Sequence, residues 1–404
     1  MRHFWVRLKQ LKRKLGYWQM MVFIARRLAG SHTSSPGTDI IGFYSFLQLA
    51  PYGGKCPAAL PSNTVNWVVP DFGIGSGGHI NIFRLVGVLE ELGFDCRIVI
   101  VGSSQYASAE AARECIRTHF TPLKARVSIG HETMEPAYFT VSTSWNTAYY
   151  AHSFTATVRH CYFVQDFEPF FYSLGSEYAF AENTYRFGMV GITAGEWLAG
   201  KLAEEYGMRT SAIGFSYDRE RYRPMARRDP KLRHVFFYAR PPTLRRGFEM
   251  GMLILNEVAR RLPDVQFILA GWDTSAYKIP FPHLNAGVVA LDDLPDLYSQ
   301  CDAALVLSFT NLSLLPLELM ACGCPVVSNR GRNVEWLLDS DVAVLADATV
   351  EALSGALVDL LSDEPRRQML VGAGLAHAAR TSWHEEARKF AAVLETLAAE
   401  GEAS

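Results

Sequence analysis

The sequence lacks any apolar run long enough to cross a bilayer, although 49% of its 404 residues are hydrophobic. A short apolar patch at residues 20–25 ends at Arg26, and no small-residue cleavage site follows it, so we expect no signal peptide. A chain of this length and apolar content is instead expected to bury substantial cores, in two domains rather than one.

The sequence also lacks the even, regularly spaced set of cysteines that indicates a disulfide framework. The seven cysteines are odd in number and scattered, mostly within apolar runs, which is typical of proteins in a reducing compartment. Cys322 and Cys324 are close together but have no second pair and no neighbouring histidine, so they do not indicate a zinc site. The formal net charge of -2 gives no global signal for nucleic-acid binding. We therefore expect a cytoplasmic protein without a nucleic-acid partner.

Several catalytic signatures are absent as well. The sequence has no G-x-S-x-G nucleophile elbow, so we assign no enzymic nucleophile. We assign no Asp-x-Asp sequence to a metal, and we expect no cofactor. A phosphorylase would need a lysine for pyridoxal phosphate, and lysine is scarce in the second half of the chain. The lysines after residue 200 are Lys201, Lys231, Lys278 and Lys389, and none lies in a convincing pocket motif.

The most informative segment of the chain is residues 301–329. It predicts a buried strand at 303–308, a polar turn, a helix that carries Glu318, and a second strand at 325–328, which together form a βαβ unit of a parallel sheet. In such a unit the turn after the first strand brings a helix N-terminus to the carboxyl edge of the sheet, where backbone N–H groups favour an anion such as phosphate. The predicted donor-binding residues of this turn are Thr310, Asn311, Leu312, Ser313 and Leu314.

Glu318 is predicted on the side of its helix that faces the sheet. A carboxylate there is costly unless it has partners, and the two hydroxyls of a ribose would supply them. The alternative is that Glu318 forms a local ion pair or cap.

A glycine-rich turn in the first half of the chain gives a second indication of ligand binding. A strand at 65–70 leads into Asp71-Phe72-Gly73-Ile74-Gly75-Ser76-Gly77-Gly78-His79 and then into a predicted helix at 80–92. Glycine allows the backbone to turn sharply and approach a ligand closely. We predict that Gly77 and Gly78 contact a donor and that His79 contacts an acceptor. A helix-start role for His79 is the alternative.

Further strands alternate with helices through the first half, at 96–101, 139–142 and 160–165, which is typical of a doubly wound α/β domain. Asp166 and Glu168 come directly after the last of these strands, at the edge of the sheet that faces the predicted crevice. We predict that both contact an acceptor, and we keep a capping or salt-bridge role as the alternative for each.

The alternating pattern breaks at residues 215–230 and resumes with strands at 235–240, 265–270, 288–291 and 342–345. A helix at 248–261 follows Arg240 and Arg246. Two α/β halves joined by a linker, with the strand ends of each half directed at the other, predict a cleft enzyme of the GT-B type.

The string P-L-E-L-M-A-C-G-C-P-V-V-S at 316–328 resembles the donor-nucleotide segment of family 4 retaining glycosyltransferases, in which an E-x7-E helix precedes A-x-G-x-P-V-V. Glu318 holds the second glutamate position. Thr310 stands at the first, so the sequence departs from the common form at the residue expected near the transferred sugar.

Other segments extend the resemblance to about residues 63–400. Ala239-Arg240 and Arg246-Gly247 match the two cationic positions that clamp the donor diphosphate in that family, and residues 381–383 resemble the start of its terminal helix. With residues 75–85 and 333–339, the sequence resembles WsaF-type rhamnosyltransferases most. The resemblance implies a retaining, metal-independent glycosyltransferase that uses Arg240, Arg246 and Glu318. It also implies dTDP-rhamnose as the favoured donor and a glycan or lipid-linked glycan acceptor in surface polysaccharide or O-antigen synthesis.

The resemblance and the composition together predict four regions. They are a basic helix and connector at 1–62, an acceptor-side Rossmann-like domain at 63–217, a donor domain at 218–378, and a helix at 379–404 that crosses back to the first domain. Two other functions stay open: a non-catalytic scaffold that binds glycan or nucleotide, which the loss of the first glutamate favours, and a GT-B sugar-nucleotide epimerase.

Residues 1–30 contain eight cationic Lys and Arg side chains and no acidic one. Phe4, Leu8, Leu11 and Leu15 recur at steps of three or four, which predicts a basic amphipathic helix. Such a helix binds an anionic membrane surface, which would place the protein peripherally at the inner face of the cell membrane. The alternative is a helix that packs on the body of the protein.

Overall fold

The computed structural model describes residues 39–229 and 231–402, with side chains to residue 400. The chain divides into two compact units, residues 1–49 and 50–404. The described part of the first unit is a short helix, Ile40–Phe43, followed by a 3-10 turn, Ser45–Gln48. Asp39 caps the short helix by accepting a hydrogen bond from the Gly42 backbone N–H at 2.8 Å. The predicted basic helix at residues 1–30 lies outside the described residues.

The second unit contains two parallel sheets. The first has seven strands in the order β3-β2-β1-β4-β5-β6-β7, so the chain starts in the middle and winds outward in both directions, as a doubly wound domain does. The strands are β1 (Thr64–Pro70), β2 (Asp95–Val101), β3 (Arg126–Ile129), β4 (Ala137–Ser142), β5 (Thr157–Val164), β6 (Val190–Ala194) and β7 (Thr210–Ile213).

Helices connect these strands on both faces of the first sheet. Every residue of β4 is buried, as expected for a central strand covered on both sides. The α-helices, numbered from the short one at residue 40 as α1, are α2 (Gly77–Glu91), α3 (Ala109–His119), α4 (Trp145–Ser153), α5 (Ser176–Asn183) and α6 (Glu196–Tyr206). Short 3-10 turns lie at His131–Thr133, Glu168–Phe171 and Thr184–Arg186.

The second sheet has six parallel strands in the order β10-β9-β8-β11-β12-β13. They are β8 (Arg233–Tyr238), β9 (Val265–Ala270), β10 (His283–Gly287), β11 (Ala303–Val306), β12 (Val326–Asn329) and β13 (Val344–Ala346). The helices are α7 (Phe248–Arg261), α8 (Leu294–Ser299), α9 (Leu315–Ala321), α10 (Arg332–Glu335), α11 (Val350–Ser362) and α12 (Glu364–Arg380), with a 3-10 turn at Leu244–Arg246.

One predicted strand of the second half is wrong. The apolar residues 288–291 form no strand, and the strand that pairs with β9 is β10, which starts five residues earlier at His283. Gly287 adopts a left-handed conformation (φ 61°) that ends β10, and Val288 just after it is 82% exposed. The edge strand is thus defined by its backbone pairing and not by apolar side chains.

The C-terminal helix, α13 (Trp383–Glu402), packs against the first sheet. The Phe390 ring lies 5.3 Å from the Trp67 ring of β1, measured between centroids. Glu386 accepts a hydrogen bond from the Gly214 backbone N–H at 2.5 Å, at the end of β7. The helix therefore joins the last segment of the chain to the first sheet. Within residues 39–229 and 231–402, no helix combines the length and apolar character that spanning a bilayer requires.

Candidate active site

The turn after β11, residues 307–314, is fixed by hydrogen bonds from its neighbours; we call it the β11 turn. The Ser308 backbone N–H donates to Asn329 Oδ1 at 2.8 Å, and Asn329 Nδ2 donates back to the Ser308 carbonyl at 2.9 Å. Asn333 Nδ2 donates to the carbonyls of Ser308 and Thr310, at 3.0 and 2.6 Å. Buried backbone groups need such partners, and here side-chain amides supply them. The β11 turn is therefore held in one conformation before any ligand arrives.

Arg246 reaches the β11 turn from the second sheet's first crossover. It ends the 3-10 turn before α7, and its Nη1 donates to Ser308 Oγ at 2.5 Å and to the Asn311 carbonyl at 3.2 Å. Gly247 follows with φ 61°, and a Cβ there would meet the Phe309 ring at 2.9 Å, so only glycine fits this close approach. Burial lowers the pKa of the Arg246 guanidinium, and the carboxylate of Asp166 opposes that shift. Arg246, which we predicted to clamp the donor diphosphate, thus lies at the β11 turn.

Asp166, at the carboxyl end of β5, reaches across to the β11 turn. Its Oδ1 accepts a hydrogen bond from the Asn311 backbone N–H at 2.8 Å, and its Oδ2 accepts one from Thr310 Oγ1 at 2.9 Å. Arg245 Nε lies 3.6 Å from the same Oδ2. Burial raises the pKa of the Asp166 carboxyl, and Arg246 and Arg245 oppose the shift. The structure thus brings Asp166, a predicted acceptor contact, into one cluster with Arg246 and with Thr310 and Asn311, two predicted donor contacts.

Sequence reasoning missed Arg245. Its guanidinium lies over the Phe171 ring, 3.9 Å from the centroid, as well as beside Asp166. A cation above an aromatic face and next to a carboxylate is held by both. The tandem Arg245-Arg246 was the available signal, because two adjacent cations at the start of a helix are costly unless an anion balances them.

Asn311 ties the two sheets together. Its Nδ2 donates to the carbonyls of Gln165 and Ala194, at 2.9 and 2.7 Å, both at strand ends of the first sheet. The Gln165 side chain in turn donates to the Gly78 carbonyl at 3.1 Å and accepts from Asn81 Nδ2 at 2.9 Å. A continuous chain of hydrogen bonds therefore links the β11 turn to the N-terminus of α2.

The glycine turn before α2, residues 71–78, is more open than the β11 turn. Gly75 has φ 81°, and no atom lies within 4 Å of a Cβ placed on it or on Gly77. Ser76 is the N-cap of α2, but its side chain makes no capping hydrogen bond to the helix. The first N–H groups of this 15-residue helix thus have no side-chain cap, which is the arrangement that favours an anion. The donor contact of Gly77 and Gly78 stays a prediction.

His79 is buried at the start of α2, with 9% of its surface exposed. Its Nδ1 lies 2.8 Å from Ser76 Oγ, and its ring packs 5.3 Å from the Phe72 ring, measured between centroids. Burial lowers the pKa of the imidazole to about 4, so the ring is neutral at pH 7. These contacts match the helix-start alternative for His79, and an acceptor contact stays a prediction.

Glu168 is bonded entirely within the first domain. Its Oε2 accepts a hydrogen bond from the Trp145 backbone N–H at 2.9 Å, at the N-terminus of α4, and its Oε1 accepts one from Tyr162 OH at 2.6 Å. Burial raises the pKa of this carboxyl to about 7, although both hydrogen bonds lower it. The geometry matches the capping alternative, and the acceptor role stays a prediction.

Glu318 lies in the first turn of α9, next to the linker between the domains. Tyr222 of the linker hydrogen-bonds to its carboxyl, and the charges of Arg84, Arg221 and Asp218 act on it. Burial raises the pKa of Glu318 to about 7, while Tyr222 and the two arginines lower it. Arg84 of α2 pairs with Asp218 at 3.1 Å. Glu318 therefore has protein partners already, and the ribose contact stays a prediction in which sugar hydroxyls join or replace them.

The remaining predicted residues differ in exposure. Leu312 is buried, with 1% of its surface exposed, so its side chain belongs to the core. Ser313 and Leu314 are partly buried, and Leu314 is the N-cap of α9. Arg240 is exposed at the end of β8, where its Nη1 donates to Tyr238 OH at 3.0 Å. Arg240 is thus exposed and bonded to Tyr238, whereas Arg246 is fixed at the β11 turn, and a diphosphate contact of Arg240 stays a prediction.

Asp339 and Asp341 do have the Asp-x-Asp spacing, which our sequence analysis did not assign to a metal. Asp339 Oδ1 accepts the backbone N–H groups of Asp341 and Val342, at 2.9 and 3.2 Å, so the pair forms a surface turn. Among the residues that the structure describes, no group of three or more His, Cys, Asp and Glu side chains is placed to hold a metal ion.

Solved structures share this architecture. Sucrose-phosphate synthase from Thermosynechococcus elongatus superposes with a TM-score of 0.64 at 13% identity, covering 83% of this chain and 99% of that one. HepE of Anabaena, in complex with UDP and glucose, superposes with a TM-score of 0.63 at 15% identity, covering 82% and 99%. At these identities the likeness shows the fold, and the fold is the predicted GT-B type.

Sequence relatives include the O-antigen biosynthesis protein RfbC of Myxococcus xanthus, which is 31% identical over 351 residues, 82% of this chain and 27% of RfbC. A GDP-mannose-dependent phosphatidylinositol monomannoside mannosyltransferase of Mycolicibacterium smegmatis is 29% identical over 163 residues, 36% of this chain and 42% of that protein. The chain thus spans about a quarter of RfbC and less than half of the mannosyltransferase.

Two family models match the chain in order, one on each sheet. The WsaF N-terminal domain matches residues 77–194 and the WsaF C-terminal domain matches residues 233–358. The first match contains Gly77, Gly78 and Asp166, and the second contains Arg246, the β11 turn and Glu318. With both domains present in order on a GT-B fold, the chain belongs to the WsaF family.

Proposed function

We propose that the chain is a retaining, metal-independent glycosyltransferase. It would transfer a sugar from a nucleoside-diphosphate donor to a glycan acceptor in O-antigen or surface polysaccharide synthesis. The observation that carries the proposal is the cluster of Arg245, Arg246 and the β11 turn, which directs two cations and a backbone N–H to one point of the interdomain cleft. The name of the O-antigen relative RfbC supports the pathway.

The chemical task of the cluster is to stabilise the leaving diphosphate. When the bond between the sugar and the phosphate oxygen breaks, negative charge develops on the leaving oxygens, and fixed cations and N–H groups stabilise it most effectively because they need no reorganisation. Arg246 is already fixed by Ser308, and Arg240, which is exposed beside Tyr238, would contact the second phosphate. The acceptor hydroxyl attacks from the same face, and the leaving phosphate takes its proton.

Glu318 and the glycine turn would hold the other parts of the donor. The Glu318 carboxylate accepts the two ribose hydroxyls, with Tyr222 beside it. The open N-terminus of α2 at Gly77 and Gly78 lets the transferred sugar or its phosphate approach the backbone. The complex of HepE with UDP and glucose supports a nucleoside diphosphate on this fold.

The favoured donor is dTDP-rhamnose, on the resemblance to WsaF-type rhamnosyltransferases. Thr310 presents a hydroxyl and a methyl group where a glutamate is common, which suits a less polar sugar edge. A non-catalytic scaffold is the second candidate function, and one observation favours it: the cluster that would bind phosphate is filled by Asp166.

Incubation with a panel of nucleotide sugars tests the proposal. A ligand at one hundred times its dissociation constant stabilises the folded protein by about 2.7 kcal/mol, so the correct donor is identified by a rise in Tm. Release of nucleoside diphosphate from that donor, with and without a glycan acceptor, then separates an enzyme from a scaffold. Binding without any turnover would support the scaffold, and the absence of both binding and turnover would contradict both functions.

The proposal includes peripheral binding to an anionic membrane through residues 1–30, which lie outside the described residues. Each Lys or Arg near an anionic surface contributes about 1 kcal/mol, and salt screens it. The full chain should therefore sediment with anionic vesicles at low salt and be released at high salt. A chain that starts near Asn63 should stay in the supernatant and still act on a water-soluble acceptor. Failure of the full chain to sediment would assign residues 1–30 to packing instead.

A further inference from the structure

The carboxylate of Asp166 comes from the first domain. It accepts one hydrogen bond there, from the Phe167 backbone N–H at 2.8 Å, and two from the second domain. The Asn311 N–H donates to its Oδ1 at 2.8 Å, and the Thr310 hydroxyl donates to its Oδ2 at 2.9 Å. Arg245 Nε lies 3.6 Å from Oδ2. Only 8% of Asp166 is exposed, so water satisfies little of its charge.

The partners of Asp166 have the composition of an oxyanion site. A backbone N–H, a hydroxyl and two arginines are the groups that bind a carboxylate and a phosphate oxygen equally well. They are also preorganised without Asp166, because Ser308 and the Asn311 carbonyl hold Arg246, and Asn333 holds the Thr310 carbonyl. The site would thus remain an anion site if Asp166 left it.

We propose that Asp166 is an internal anion that occupies the phosphate position of the donor site and must be displaced before a nucleoside diphosphate binds there. This inference rests on the proposed function, since it assigns the displaced position to the donor's phosphate. Two anions cannot share these donors, because like charges a few ångströms apart in a buried site repel strongly.

Displacement of Asp166 also loosens the contact between the domains. Asn311, whose N–H binds Asp166, donates through its side chain to the Gln165 and Ala194 carbonyls of the first domain. When a phosphate takes the N–H of Asn311, Asp166 loses that donor, and the contact that it makes with the second domain is released. The carboxylate of Asp166 therefore holds the two domains together until a phosphate replaces it.

The identity of residue 310 agrees with this arrangement. A hydroxyl at Thr310 can donate to Asp166, whereas a glutamate at the same position would place a second buried carboxylate within hydrogen-bond distance of the first. The departure from the common E-x7-E form is therefore complementary to Asp166.

Calorimetric titration with dTDP, UDP, inorganic pyrophosphate and thymidine tests the proposal on the full chain. Asp166→Asn keeps the shape of the side chain but removes its charge, so we expect it to bind whichever nucleoside diphosphate the wild type binds roughly tenfold more tightly, the size of one charge-assisted hydrogen bond. Thymidine, which has no phosphate, should bind both proteins equally. The matched control is Glu386→Gln, which removes another buried carboxylate bonded to a backbone N–H, at the end of β7.

The outcomes separate the inference from the proposed function. Equal or weaker diphosphate binding by a folded Asp166→Asn protein would overturn the inference and leave the proposed function intact. Failure of both nucleoside diphosphates to bind to the wild type and to Asp166→Asn would overturn both. Should Asp166→Asn not fold, Asp166→Ser with pyrophosphate as the probe keeps the test, and tighter binding of pyrophosphate than to the wild type supports the inference.

Discussion

The β11 turn and the glycine turn before α2 are both strand-to-helix turns at the carboxyl edge of a parallel sheet, yet they are prepared for a ligand in opposite ways. In the β11 turn, side chains from two domains bond to polar groups of Ser308, Thr310 and Asn311, including the Asn311 N–H. In the glycine turn, shape comes from the backbone conformation of Gly75, and space is left around Gly77. The first turn is rigid and occupied, and the second is open. A ligand must replace existing hydrogen-bond partners at the β11 turn, whereas it can enter the glycine turn without replacing any side chain.

The largest effect is expected from breaking the rigid turn at Arg246. Arg246→Ala removes the cation that binds Ser308 and the Asn311 carbonyl, so kcat/KM should fall by about 100-fold or more, as for the loss of one preorganised donor. Arg246→Lys should retain part of the activity, because the charge remains and the planar fork is lost. Steady-state kinetics with the identified donor measure both. Wild-type activity in Arg246→Ala would remove Arg246 from the mechanism.

The free energy of unfolding should depend on pH through Glu318, which lies in the helix that follows the β11 turn. Burial raises the pKa of Glu318 from 4.5 to about 7, so between these pH values the folded protein holds a proton that the unfolded chain has released. The free energy of unfolding should therefore fall as the pH rises through this window, by at most about 3 kcal/mol from this group. Urea unfolding at pH 5 and pH 8 measures the fall.

Glu318→Gln should reduce that fall, because the amide does not titrate. The other groups that face Glu318 are Tyr222, Arg84, Arg221 and Asp218, and they remain in the variant. Glu168, whose pKa burial also raises to about 7, should account for a similar share, so Glu168→Gln serves as the comparison. An unchanged fall in Glu318→Gln would mean that Glu318 is ionised in the folded protein.

Glu318→Gln also tests whether the Glu318 carboxylate binds the ribose of the donor. Because bare nucleoside diphosphate and sugar nucleotide both carry the ribose, the variant should bind both about tenfold more weakly, the cost of one hydrogen bond to a charged group. Calorimetry at pH 8, where the wild-type carboxylate is ionised, gives the clearest difference. Equal affinities for the bare nucleotide, with folding intact, would return Glu318 to a purely structural role beside Tyr222.

The smallest effects are expected from substitutions in the glycine turn. Gly75→Ala forces a side chain into φ 81° and should lower the free energy of unfolding by about 1 kcal/mol through backbone strain alone, since space is free there. Gly77 has no such conformation and no near neighbour, so Gly77→Ala should leave stability unchanged and weaken donor binding. Thermal unfolding and calorimetry on both variants measure the two effects. Unchanged donor binding in Gly77→Ala would show that no ligand approaches this backbone.

The sequence by itself determined the sheets and the location of the two turns. Buried parallel strands carry nearly continuous apolar runs, so β1, β9 and β11 could be recognised from composition, as could the helix at 248–261. The order of strands and helices was enough to predict the GT-B fold, because parallel strands need crossover helices. The edge strand β10 was misplaced, since its side chains are exposed or half-buried and its pairing depends on backbone hydrogen bonds.

The partners of the charged residues were decided by the tertiary structure alone. Asp166 and Glu168 are two residues apart and follow the same strand, and nothing in the sequence distinguishes them. The fold turns Glu168 inward to Tyr162 and α4, and it turns Asp166 outward to Thr310 and Asn311, about 145 positions away. Electrostatic interactions in a buried site depend on distance and on the loss of water, and both are set only when the two sheets meet.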